Sequence, residues 1–266
     1  MAALLAPLAQ RGYAVVRLSP TSSKALRSAL QAWSLHGRFR HPAVPEMDDG
    51  TTNLELKKEQ QQEEEARFPE ERACFNALFN ECRNGIRLLD REWREAKGVG
   101  LGAPLQSLPD GDVFLEDDAL PFQSLSRDTP FDQSFFNVFN YNHGTLNPHV
   151  DRGLITLVYG YNENRSGASQ LWLLDLETNL WVEAEEVCEA HDAGNGDDCV
   201  LLFAGEQLER LTGGRVRAVE HCVRVDPEGE FLNRSHFTRD PEAAPIGNRL
   251  SAAMIFSFNE EERRKI

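Results

Sequence analysis

The 266-residue chain carries 28 Lys plus Arg against 43 Asp plus Glu, a formal net charge of −15, and 41% of its residues are hydrophobic. That composition supports a packed core, while the acidic balance disfavours phosphate backbones and anionic membrane surfaces as partners. No uninterrupted apolar run is long enough to span a bilayer, and five cysteines without a Cys-x-x-Cys spacing fit free thiols rather than a disulfide framework or a zinc knuckle.

The opening "MAALLAPLAQRGYAVVRL" lacks the basic segment of a secretory signal and reads as a short helix followed by the strand "RGYAVVRL" (11–18), so a cytoplasmic location is expected. "SPTSSKALRSALQAWSL" follows with a Ser/Thr cap and Leu26, Leu30 and Trp33 at helical spacing. Residues 41–53 are polar and contain prolines, which predicts a loop. The stretch 55–96 begins as charge and glutamine, a solvated helix face or a connector. It continues with Phe75, Leu78, Phe79, Ile86, Leu89 and Trp93, the stripe of one or two packed helices. "GVGLGAPLQSLPDGD" ends that pattern.

After residue 130 the texture changes to short strands between turns: 134–141, 154–160, 170–175, 180–186, 199–205, 215–225, 230–237 and 249–258. "LETN", "AGNGDD", "LTGG" and "DPEG" supply the turn chemistry. Seven or eight strands in one run predict a sandwich or a jelly roll, with the helices clustered before it.

The chemistry starts at "NPHVDRGLITLVYG" (147–160). His149 and Asp151 stand two apart on an extended segment, so both side chains point to one side. That suits a metal ion, although so short a motif also arises by chance. His221, in "GGRVRAVEHCVRV", lies 72 positions further on, a separation that facing strands of a jelly roll can close. Two imidazoles and one carboxylate form the facial triad of non-haem Fe(II) oxygenases, which leaves metal positions free for a chelating cosubstrate and dioxygen. Arg249 and Ser251, in "NRLSAAMIFSF", share a strand face, and a guanidinium fork beside a hydroxyl fits the far carboxylate of a dicarboxylate cosubstrate; a surface arginine is the alternative. Among the other candidates, His143 reads as a turn residue or a substrate contact rather than a fourth ligand, and Arg152 as a surface or lid salt-bridge residue, with recognition of an acidic substrate group as the alternative. Trp172 and Trp181 read as hairpin packing, and Cys199 as inert core.

The order Tyr141, His-x-Asp, "CVLLFAGEQLERLTGGRVRAVEHCV", Arg-x-Ser resembles the isopenicillin N synthase-like family of Fe(II)/2-oxoglutarate-dependent dioxygenases, most closely over 199–223. "RGYAVVRL" is similar to that family's opening strand. The resemblance implies a mainly β fold with flanking helices, a double-stranded β-helix (jelly roll). It implies one oxygenase domain over 1–266: a mostly helical part to 130, a jelly-roll core over 131–260 and an inserted segment at 226–248. His149, Asp151 and His221 would ligate Fe(II), Arg249 and Ser251 would bind 2-oxoglutarate, and Tyr141 would touch that cosubstrate. Dioxygen would be the oxidant and a small organic molecule the substrate. This chain departs from the family pattern at Glu206, where Asp is common, and at Cys222, where Arg is usual. The interval of 28 from His221 to Arg249 is also long, and within it Arg234–Ser235 is a rival anchor. An iron oxidase that needs no 2-oxoglutarate and a binding module that kept the fold are the alternative functions. A nucleic-acid demethylase is disfavoured by the net charge.

Overall fold

The computed structural model describes residues 3–36, 51–56, 69–101, 134–141, 146–162, 170–192, 199–224 and 249–258, together with 264 and 266. In chain order the elements are α1 (Leu5–Arg11), β1 (Tyr13–Arg17), α2 (Pro20–His36), β2 (Thr51–Leu56) and α3 (Pro69–Lys97). They continue with β3 (Phe135–Tyr141), β4 (Leu146–His149), β5 (Ile155–Asn162), β6 (Gln170–Asp175), β7 (Leu180–Glu183) and α4 (Ala184–Asp192), then β8 (Cys199–Ala204), α5 (Glu206–Leu211), β9 (His221–Arg224) and β10 (Arg249–Phe256). The strands form two antiparallel sheets, one in the order β1-β8-β5-β10-β3-β2 and the other β4-β9-β6-β7.

Strands β1, β8, β5 and β10 of the larger sheet send buried residues to both faces, which is why they read as largely apolar runs. One face takes Ala14, Val16, Ile155, Leu157, Val200, Leu202, Ala252, Met254 and Phe256 into a core shared with the helices. The α3 stripe Cys74, Leu78, Phe79, Cys82, Ile86, Leu89 and Trp93 lies against it, with the Phe79 and Phe256 ring centroids 5.2 Å apart. Each fully buried leucine of this layer contributes about 1.5–3 kcal/mol by its removal from water. Strand alternation turns Tyr13, Val158, Leu201, Phe203 and Ala253 the other way, where they pack with Leu171, Leu173 and Val223 of the smaller sheet. The site lies between the two sheets.

Local chemistry sets the joints. The Ser19 hydroxyl accepts the Ser22 N–H at 3.2 Å and caps α2, with Pro20 at the first helical position. Glu92 on α3 accepts the N–H groups of Leu4 (3.0 Å) and Leu5 (2.6 Å), tying α1 to α3. Gly12 closes α1 at φ +82, and a Cβ there would sit 2.1 Å from Val219 Cγ2, so the position requires glycine twice over. The β6–β7 hairpin turns on Asp175, whose carboxylate accepts the N–H of Glu177 and Thr178, with Asn179 in the left-handed region at φ 57.

Three expectations are corrected. The loop expected over 41–53 fails at its end, because Thr51–Leu56 pairs with β3 as the edge strand of the larger sheet; residues 41–50 lie outside the described residues. The strand expected over 180–186 stops at Glu183, and Ala184 opens α4 with Glu185 and Glu186 in its first turn, where the helix dipole favours acids. The strand expected over 215–225 is regular only from His221 to Arg224. Upstream of it, Val216 N–H bonds the Thr212 hydroxyl, Ala218 N–H bonds the Glu209 carboxylate at 2.7 Å, and Val219 N–H bonds Ala204 O, so those groups are taken from any ladder. The strand expected over 230–237 lies outside the described residues, as do the charged stretch 57–68 and the segment 225–248. All five cysteines are free thiols. Among the described residues no helix is long and apolar enough to cross a membrane.

Candidate metal centre

The His-x-Asp segment runs from β4 into a tight turn and on into β5. His149 ends β4, and its Cα partner across the ladder to β9 is His221, so the sheet register sets the two histidines side by side. Their ring centroids are 4.2 Å apart at 52°. Asp151 follows in the turn. Its Oδ1 lies 3.8 Å from Nε2 of His149 and 3.8 Å from Nε2 of His221. Those separations are too long for hydrogen bonds. One nitrogen from each ring and one carboxylate oxygen all lie within 4.8 Å of one another, the only such grouping of three His, Cys, Asp or Glu side chains among the described residues.

The second polar atom of each residue is already occupied. Nδ1 of His149 faces the Asn147 carbonyl at 2.8 Å, and Nδ1 of His221 faces the Val219 carbonyl at 3.2 Å. A carbonyl only accepts, so each Nδ1 carries a proton, and the other ring nitrogen, Nε2, is the one turned toward Asp151. Burial pushes the His221 pKa down and the neighbouring His149 ring adds to this, against the opposing pull of Asp151, so the His221 ring is held neutral. The Phe203 ring packs against His221 at a centroid distance of 4.6 Å. The Thr156 hydroxyl donates to Asp151 Oδ2, while Oδ1 faces the two imidazoles. Two imidazole nitrogens and one carboxylate oxygen, with their partner atoms tied off, form a donor set suited to a divalent transition metal. The His221 side chain is 6% exposed and that of His149 38%, so the site opens on its β4 side.

The turn after Asp151 is clamped from behind by the start of α5. The N–H groups of Gly205, Glu206 and Gln207 donate to the carbonyls of Leu154 (3.0 Å), Asp151 (2.8 Å) and Gly153 (3.0 Å). The helix thereby satisfies its own orphan donors and fixes the turn that carries the carboxylate.

Of the remaining sequence candidates, Ser251 is buried on β10. Ser251 alternates onto the same face as Ala253, which packs in the layer between the sheets. The ladder pairs position 249 directly with position 141 of β3. Arg152 is exposed, as expected for a surface residue. The expected hairpin around Trp172 and Trp181 forms, with Leu174 opposite Trp181. His143 and the rival Arg234–Ser235 lie outside the described residues. Sequence reasoning missed Thr156, Gly153 and Gly205. A threonine among the apolar residues of "LITLVYG" was the available signal for the first.

No family model matches the chain, and no curated protein matches its sequence. Solved structures do match. A putative oxygenase from Shewanella oneidensis aligns over 96% of this chain and 84% of its own, with a TM-score of 0.56 at 11% identity. A full-length Neurospora crassa protein, solved in complex with alpha-KG and 5-formyluracil, aligns over 96% and 77%, with a TM-score of 0.55 at 14% identity. The chain has the fold of the 2-oxoglutarate/Fe(II) oxygenases. The rice dioxygenase for auxin oxidation shares that oxygenase fold too, over 96% of this chain and 76% of its own, with a TM-score of 0.53 at 15% identity.

Proposed function

We propose that this chain is an Fe(II)- and 2-oxoglutarate-dependent oxygenase that hydroxylates or desaturates a small organic molecule. In the hydroxylating case one substrate C–H bond, 2-oxoglutarate and dioxygen become a C–OH group, succinate and carbon dioxide. The observation that carries this reading is the convergence of His149 Nε2, Asp151 Oδ1 and His221 Nε2, each with its partner atom engaged elsewhere, inside the layer between the two sheets. These three residues would hold the metal. Bound Fe(II) would supply the one-electron and dioxygen chemistry that no side chain of this site provides.

Arg249 and Ser251 would bind the far carboxylate of 2-oxoglutarate, and Tyr141 would contact it from the neighbouring strand. The reading draws support from the burial of Ser251 and from the direct pairing of positions 249 and 141. A charged carboxylate held between the sheets needs a charged or hydrogen-bonding partner, and a guanidinium beside a hydroxyl supplies both. The two antiparallel sheets would form a double-stranded β-helix within a single domain. A formal charge of −15 supports a small molecule over nucleic acid as the substrate.

The test is an anaerobic titration of the apoprotein with Fe(II) and then 2-oxoglutarate. A visible charge-transfer band of the chelated keto acid is expected. Iron binding without the band would replace this reading with an oxidase independent of 2-oxoglutarate. No iron binding would leave a binding module that kept the fold.

A further inference from the structure

Thr156 stands in the middle of the larger sheet, paired with Phe203 on β8 and Ile255 on β10. Its neighbours on β5, Ile155 and Leu157, face the helical core, whereas Val158 faces the layer between the sheets. Alternation therefore turns Thr156 toward the site, and the residue is 1% exposed. Valine has nearly the same shape and would bury no hydroxyl; an unbonded hydroxyl at such a position is costly. Here the hydroxyl donates to Oδ2 of Asp151, and the other oxygen of that carboxylate is the one facing both imidazoles.

We infer that Thr156 is a positioning residue that occupies Oδ2 of Asp151 and so limits this carboxylate to one oxygen toward a metal. The inference rests on the proposed metal role of His149, Asp151 and His221. A carboxylate hangs on a freely rotating bond, and without a partner on Oδ2 it could turn either oxygen, or both, toward an ion. The turn clamp fixes the backbone of Asp151 through the Glu206 N–H but leaves that rotation open. The Thr156 hydroxyl closes it. A second oxygen on the ion would use a position that a cosubstrate or dioxygen needs. Thr156 touches none of the reacting groups; it acts through Asp151.

The experiment is an anaerobic titration of the full-length apoprotein with Mn(II) alone, read by the loss of free-ion EPR signal, for wild type, Thr156→Val and Thr156→Ser. The expected result is a roughly 10–100-fold weaker affinity for Thr156→Val, the range found when an outer-sphere partner of a metal ligand is removed. Thr156→Ser keeps the hydroxyl and is expected to bind within about threefold of wild type, a rescue that a packing role would not give, since serine loses the methyl. Equal affinity in wild type and Thr156→Val, or equal weakening in both variants, would overturn the inference and leave the proposed function standing. Absence of Mn(II) binding in wild type would overturn the metal reading itself. Should Thr156→Val fail to fold, Thr156→Ala takes its place against Thr156→Ser, and equal affinities in that pair overturn the inference.

Discussion

Gly205→Ala isolates the clamp that holds the Asp151 turn. Gly205 has φ −108 and ψ 177, an extended backbone that alanine adopts without strain, so the effect is steric. A Cβ built at this position meets the Gly153 carbonyl oxygen at 2.4 Å and the Asp151 carbonyl oxygen at 2.9 Å. Real Cβ atoms stay beyond 3.0 Å, so the turn must retreat by about 0.6 Å from α5. Both oxygens are acceptors for the first turn of that helix, so the retreat stretches the bonds from Gln207 and Glu206. Overpacking of this kind costs about 1–3 kcal/mol, and the smaller conformational freedom of alanine in the unfolded chain offsets about 0.4–1 kcal/mol. The expected net loss is about 0–2.6 kcal/mol, measured as a lower urea midpoint at unchanged slope. Mn(II) affinity is expected to fall at the same time, because the moved backbone carries Asp151. A variant with wild-type stability and wild-type Mn(II) affinity would refute the idea that α5 fixes the carboxylate.

His149→Ala is expected to abolish Mn(II) and Fe(II) binding while changing apoprotein stability by no more than about 0.5 kcal/mol, since this side chain is the most exposed of the three; retained binding by titration would remove it from the site. Arg249→Ala is expected to raise the 2-oxoglutarate concentration for half-maximal succinate release about 10–100-fold, the loss of one charged hydrogen-bonded partner, whereas Arg234→Ala is expected to leave it unchanged; the reverse ranking would identify Arg234 as the anchor. Tyr13 donates to Asp175 at 2.8 Å, and its pKa is raised to about 12, first by burial and then by that bond. A raised phenol pKa contributes stability that is present in full below pH 10 and is lost as pH rises toward 12, so Tyr13→Phe is expected to flatten the alkaline limb of a stability–pH profile over that window. Burial pushes Asp175 upward, but its bonds from the Thr178 N–H, the Tyr13 hydroxyl and the Glu177 N–H hold it below its usual value, so its contribution is present above pH 3.8 and is lost as pH falls through the lowered pKa; Asp175→Asn is expected to remove that acidic limb.

The sheet strands were legible where burial is two-sided. "VLLFA" (200–204) and "AAMIF" (252–256) are continuous apolar runs because one set of side chains joins the core shared with the helices and the other meets the smaller sheet. The α3 stripe was legible through Leu78, Phe79, Ile86, Leu89 and Trp93, which are buried along a single helix, whereas Cys74 and Cys82 of the same buried stripe were not read from the sequence. Alternation misled at 215–220, where Val216 and Ala218 mimic a strand. There a hydroxyl, a carboxylate and a distant carbonyl take the N–H groups, and none of those partners announces itself in the local sequence. The opposite error occurred at Thr51–Leu56, where the ladder partner that makes "TTNLEL" a strand lies 80–90 residues downstream.

The three grouped residues were legible for a different reason. His-x-Asp is local, and one further histidine at the head of a strand completes the donor types. What holds those donors is spread through positions that look like ordinary core. Thr156 passes for a β-branched strand residue, and Gly205 passes for the break between β8 and α5. The Nδ1 partners are backbone carbonyls, which carry no sequence signal at all. A chain with the same His-x-Asp and distal histidine, but Val at 156 and Ala at 205, would therefore carry the motif unchanged and still be expected to hold a metal far more weakly. The two changes act on one turn, so their effects on Mn(II) affinity should combine to less than the product of the separate losses. A fully multiplicative combination would mean that the hydroxyl and the helix clamp constrain Asp151 independently.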